Sequence, residues 1–159
     1  MSDTTGTRIW GGGAFVAALL LALSVLCWLP IILYFDLLAF YHVFSRGGGL
    51  AALDETALMA VFNMVYFAVL MVAFRACGRA WRFLRARTTD ELPRAAPAFL
   101  RWGLWALTIA CTAMAFYGLQ DTLVPSRGYT VAMIFATHAA LGALSMLLLW
   151  SASRASPEG

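Results

Sequence analysis

Four stretches of the chain carry no charged residue, and each is long enough to cross a bilayer. They cover residues 9–35, 56–74, 102–120 and 128–153. The two shortest hold 19 residues each, and an α-helix of that length measures about 28 Å, close to the thickness of a hydrocarbon core. The stretches are continuously apolar and do not alternate, which argues against membrane β-strands. This pattern predicts an all-α integral membrane protein, a four-helix bundle with four transmembrane spans.

The composition leaves few other classes open. Of the 159 residues, 62% are hydrophobic and 12% are charged, whereas soluble domains average about 45–50% apolar and about 25% charged residues. Such a chain lacks the polar side chains to cover a globular surface, which excludes soluble, disordered and nucleic-acid-binding proteins. The lipid bilayer is therefore the expected surrounding, and nucleic acid is not an expected partner.

The length fits one membrane domain over residues 1–159. The first apolar run has no A-x-A cleavage site at its end, so we expect it to be a retained span and not a signal peptide. An inner loop at 75–101 and outer loops at 36–55 and 120–128 connect the spans. The four predicted spans are 13–35, 56–74, 102–119 and 129–150. Pro30 is expected to kink the first span near its outer end, and residues 36–44 either extend that span or lie in the membrane interface.

Arginine predicts the orientation of these spans. Seven arginines lie in the loop between spans two and three, and cytoplasmic loops collect such residues. With four spans, both termini share that side, which brings Arg8 and Arg154 inside as well. Nine arginines then lie inside, and only Arg46 and Arg127 lie outside. We predict a bacterial inner-membrane protein with both termini in the cytoplasm.

The basic inner loop is expected to begin as a helix. Arg75, Arg79 and Arg82 recur at i, i+4 and i+7, with Arg85 close behind. Span two would then continue as a helix whose basic stripe contacts the anionic inner leaflet. Alternatively, these arginines only fix the topology.

Small residues recur every four positions in two spans. Ala14, Ala18 and Ala22 form one set, and a second set in span four is Ala132, Ala136 and Ala140. Such ladders let helix backbones approach closely. We expect them to pack the bundle, and a dedicated oligomer interface is the alternative.

Polar residues within the spans are the candidate functional groups. His138 lies nine residues after Tyr129, roughly 13–14 Å along the helix and near the midplane, where ionisable residues are rare. Asn63 lies about 10 Å below the outer end of span two. The alternative is that each residue only links neighbouring helices through hydrogen bonds and has no further role. A shallow outer rim above them would be formed by Asp36, His42, Gln120 and Asp121.

Redox cofactors have little support in the sequence. The three cysteines, Cys27, Cys77 and Cys111, form no CxxC or CxxCH motif. A haem or soft-metal site built from His138 with Cys27 or Cys111 stays conceivable. No catalytic or zinc-binding motif is present in the sequence. We therefore predict no cofactor, no metal and no catalytic residue.

One segment carries a resemblance. After the helical start of the inner loop, the chain reads Arg85-Ala-Arg-Thr-Thr-Asp-Glu-Leu92, and Phe99-Leu-Arg-Trp102 opens span three. Over the central third of the chain this resembles the YoaS-like group, small bacterial four-span proteins classed as a domain of unknown function. The group's acidic C-terminal helix is missing from the end of this chain. The resemblance implies an inner-membrane location but no activity or site residue.

Three functions remain open at this point. The first is an accessory, regulatory or assembly component of a membrane complex, with other membrane subunits or a second copy as partner. The second is a small oligomeric transporter or channel that uses Asn63, His138 and the outer rim. The third is a haem- or metal-binding redox subunit.

Overall fold

The computed structural model describes residues 4–45, 50–86, 96–120 and 125–154. Every regular element in these ranges is an α-helix, which confirms the predicted all-α class. The helices are α1 (Thr4–Leu26), α2 (Leu29–Ser45), α3 (Leu50–Arg85), α4 (Ala98–Leu119) and α5 (Pro125–Arg154).

Four helical stretches in these ranges are long and apolar enough to cross a membrane, as predicted. They are Gly6–Ser45, Thr56–Arg85, Ala98–Leu119 and Gly128–Arg154. The helices extend beyond the predicted spans, because a helix does not end where its side chains become polar. The predicted outer loop at 36–55 is helical over 36–45 and 50–55. Likewise, α3 continues through the basic stripe to Arg85, and α5 already begins at Pro125.

The first membrane stretch, Gly6–Ser45, is interrupted close to the kink expected at Pro30. α1 ends at Leu26 and α2 begins at Leu29. Pro30 lacks a backbone N–H, so the carbonyl of Leu26 loses its usual donor four residues later. The backbone forms a tighter turn here, in which the Trp28 N–H donates to the carbonyl of Val25, three residues earlier, at 3.1 Å. The break therefore falls just before the proline that causes it.

Helix α1 contacts both α3 and α5, while α4 packs mainly on α5 and α2 mainly on α3. Small side chains make the closest of these contacts possible. On α1, Ala14, Ala18 and Ala22 are buried, as predicted for a packing face. Where α1 passes α3, a Cβ on Gly11 would lie only 2.7 Å from the Cβ of Phe83, so the backbones approach too closely there for any larger residue.

The predicted packing face of span four is wrong in part. Ala132 is buried, but Ala136 and Ala140 are exposed. A step of four residues rotates by 40° around a helix, whereas a step of seven returns to within about 20° of the same face. The buried residues of α5 follow the second spacing, as Ala132–Ala139 and Ser145–Ala152 show.

Four helix ends and most described arginines gather at one end of the bundle, which we call the arginine end. The Arg8 guanidinium on α1 donates to the Ala86 carbonyl at the end of α3, at 3.0 Å. Gly13 of α1 faces Leu148 near the end of α5, and α4 runs antiparallel to α5. The arginines toward this end are Arg8, Arg75, Arg79, Arg82, Arg85, Arg101 and Arg154.

Candidate functional site

Asp36 and Asn63, two predicted site residues, are hydrogen-bonded to each other. The Asn63 side-chain amide donates to the Asp36 carboxylate at 2.9 Å and so links α2 to α3. Both side chains are half-buried. No residue of α2 is buried, and the helix packs mainly on α3. This polar pair is therefore a specific link between α2 and α3, in a helix whose exposed surface is mostly apolar.

His138 lies near the middle of α5 and points into the bundle, where it is 9% exposed. Its Nδ1 atom is 2.8 Å from the Ile134 carbonyl. Because a carbonyl oxygen can only accept, Nδ1 carries the proton and donates it. Nε2 is then a bare acceptor, and it is buried without a hydrogen-bonding partner among the described residues.

The break between α1 and α2 lies directly against His138. The Trp28 ring meets the imidazole edge-on, with 6.4 Å between the ring centroids. Trp28 also stacks against Phe135, with 6.3 Å between the two ring centroids. The intramembrane histidine thus contacts an aromatic side chain at the point where the first membrane helix is interrupted.

Two buried hydroxyl groups were missed in the sequence. The side chains of Tyr66 on α3 and Ser145 on α5 are 8% and 0% exposed, and neither hydroxyl has a partner among the described residues. Their spacing was the available signal. Tyr66 follows Asn63 by three residues and Ser145 follows His138 by seven, so each shares a helix face with a predicted polar residue.

The structure describes three of the four residues predicted for the outer rim: Asp36, His42 and Gln120. Asp36 bonds to Asn63, as described, whereas His42 lies beside Tyr41 with ring centroids 6.2 Å apart. Gln120 is exposed at the end of α4, and its backbone N–H donates to the Tyr117 carbonyl. Asp121 lies outside the described residues. The described ring contact of His138 is with Trp28 at the interruption, and the pocket beneath the outer rim stays a prediction.

The two histidines are too far apart to share a haem iron within one chain. Trp28 contacts His138, and His42 lies 14 residues further along, or about 20 Å by helical rise. In the described part of the chain, no three His, Cys, Asp or Glu side chains are grouped as metal ligands. Cys27 is exposed while Cys111 is buried in the core, so the three residues considered for a soft metal do not form such a group.

The basic stripe on α3 is largely accessible. Arg75, Arg82 and Arg85 are exposed, and the half-buried Arg79 places its guanidinium 5.8 Å from the centre of the Phe83 ring. At the same end of the bundle, Arg154 stacks over Trp150 at 3.8 Å. These aromatic contacts hold charged groups beside apolar surface, as an interfacial position requires.

An apolar groove of about 310 Å³ lies between α4 and α5. The Thr112 hydroxyl in its wall already donates to the Thr108 carbonyl at 2.7 Å. The groove therefore offers contact area but little hydrogen bonding. Its lining consists of Thr112, Ala115, Phe116, Leu119, Ala136 and Ala139.

No family model matches the chain, and neither a curated protein nor a solved structure is similar enough to report. The resemblance to the YoaS-like group therefore stays a prediction from the sequence.

Proposed function

We propose that this chain is a non-enzymatic accessory component of a bacterial inner-membrane complex, with its arginine end in the cytoplasm. The orientation follows from the concentration of arginine at one end of the bundle, because cytoplasmic membrane segments carry that excess. Asp36 and Asn63 then lie toward the outer side. The basic stripe contacts the headgroups of the inner leaflet.

The accessory role rests on helix α2. This helix has 17 residues, none of them buried, and it packs mainly on one neighbour. Its surface is rich in large apolar side chains, with Leu37, Phe40 and Phe44 each more than 60% exposed. Helices associate in membranes through van der Waals packing, and α2 has little of it within the chain. We therefore assign α2 as the surface that receives a transmembrane helix of another membrane protein.

Site-specific photo-crosslinking in native membranes tests this assignment. A photoreactive phenylalanine analogue at Phe40 of α2 is compared with the same analogue at Ile109 of α4. The two side chains are matched in exposure, at 63% and 61%. We expect a discrete adduct with one membrane protein from position 40 only. Equal lipid labelling at both positions, or an adduct of two copies of this chain, would contradict the assignment of α2 as the surface for another membrane protein.

Transport is a second candidate, and the buried polar atoms favour it. Two helices that contact α1 carry polar side chains in the interior: Asn63 and Tyr66 lie on α3, and His138 and Ser145 lie on α5. Interrupted helices and polar groups near mid-membrane are features of transport pathways.

Ion flux into phosphatidylcholine liposomes tests this candidate. Transport requires that the reconstituted chain carries protons or potassium ions faster than empty liposomes leak them, and that His138→Ala and Asn63→Ala lose the flux. Thr137→Ala is the control, because Thr137 is exposed beside His138 and its hydroxyl bonds only within its own helix. Flux at the level of empty liposomes, or equal flux in all variants, would eliminate transport.

A further inference from the structure

The acceptor atom of His138 carries an inference that depends on neither proposed function. Its tautomer is fixed by the bond from Nδ1 to the Ile134 carbonyl, which leaves the lone pair of Nε2 pointing away from its own helix. That atom is buried, and the described residues offer it no donor. Buried acceptors in native proteins are almost always paired with protein groups or ordered molecules.

The interruption between α1 and α2 lies beside this imidazole. Trp28 meets the imidazole edge-on and belongs to the break between α1 and α2. In the same break, the Leu26 carbonyl has no donor from residue 30, because that residue is a proline. On α3, the Tyr66 hydroxyl is a second buried polar group without a partner among the described residues.

The surroundings define the chemistry of a ligand. The Nε2 atom accepts hydrogen bonds, and so does the Leu26 carbonyl in the neighbouring interruption, so the missing partner is a donor. The walls are aromatic, formed by Trp28 and Phe135. A small O–H group fits this combination because it donates and accepts at once, and it carries no charge into the apolar interior.

We propose that His138 Nε2 is the acceptor of a binding site for a small hydroxyl group at the break between α1 and α2. The group is supplied either by a water molecule or by the hydroxyl of a lipid. Trp28 and Phe135 form the aromatic side of this site, and the Leu26 carbonyl belongs to the same interruption.

Solid-state NMR of the full chain in vesicles tests this site. The chain has only two histidines, so His42→Gln with ¹⁵N-labelled histidine reports on His138 alone. We expect Nδ1 to be protonated and Nε2 unprotonated. We also expect a cross-peak from an O–H proton to Nε2 that is lost after exchange into D₂O.

Lipid composition distinguishes the two sources. Phosphatidylcholine has no hydroxyl group, so a cross-peak in pure phosphatidylcholine vesicles identifies water. A cross-peak that appears only when phosphatidylglycerol is added identifies a lipid hydroxyl. Should His42→Gln fail to fold, the wild-type spectrum minus that of His138→Gln gives the same signal.

Two results would overturn the proposal. One is a proton on Nε2, because the atom would then be a donor. The other is an Nε2 that shows contacts only with carbon-bound protons in both kinds of vesicle. Neither result depends on ion flux, so the hydroxyl-binding site and the transport candidate are tested independently.

Discussion

Replacing Asn63 with leucine is expected to detach α2 from α3 and to lower the free energy of unfolding by about 2–3 kcal/mol. The substitution removes the amide that donates to Asp36 at 2.9 Å. It leaves a half-buried carboxylate without this donor, and hydrogen bonds to charged groups contribute about 1.5–3 kcal/mol. Because no residue of α2 is buried, little other packing compensates for the loss.

A double-mutant cycle isolates this pair. Unfolding by sodium dodecyl sulfate is followed for Asn63→Leu, Asp36→Leu and the double variant. We expect the double variant to recover much of the stability lost in Asn63→Leu, since no carboxylate then remains unpaired. A spin label at Leu37 should become more mobile in Asn63→Leu. Unchanged stability together with unchanged mobility would show that the pair does not anchor α2.

Replacing Ala18 with leucine is expected to be at least as disruptive, with a loss of about 3 kcal/mol or failure to fold. The Ala18 side chain is 0% exposed and belongs to the face that α1 presents to the core. A leucine adds three carbon atoms where the interior is close-packed, and such overpacking typically costs about 1–3 kcal/mol and occasionally more.

Ala140→Leu is the matched control for Ala18→Leu. Both alanines belong to predicted ladders with a spacing of four, but Ala140 is exposed on α5. A surface substitution of this kind usually changes stability by less than about 0.5 kcal/mol. Equal losses in the two variants would mean that α5 packs through the ladder predicted from the sequence and not through the face seen in the structure.

The sequence predicted the membrane helices well because apolar length is a local property. It predicted a kink at Pro30, but the interruption falls earlier, at residues 27–28, because the carbonyl that loses its donor lies four residues before the proline. It did not predict the packing face of α5, where small residues repeat at spacings of both four and seven. Only contact with a neighbouring helix selects the face that contains Ala132 and Ala139 over the one that contains Ala140.

The candidate site was predicted only in part, for a similar reason. Depth along a helix can be counted, so His138 and Asn63 were found. Partners are set by rotation and by long-range packing, which residue counting does not give. The bond from Asn63 to Asp36 joins residues 27 positions apart. The contact of His138 with Trp28 depends on how α1 and α5 meet.

The central claim is that the chain crosses the membrane four times with its arginine end in the cytoplasm. Cysteine labelling in spheroplasts of expressing bacteria tests it most directly. Cys27, Cys77 and Cys111 are replaced by alanine, and single cysteines are introduced as Ser2→Cys, Ser45→Cys or Ser156→Cys. We predict that a membrane-impermeant maleimide labels position 45 in intact spheroplasts, and positions 2 and 156 only after permeabilisation. Labelling of position 2 or 156 in intact spheroplasts would contradict the account.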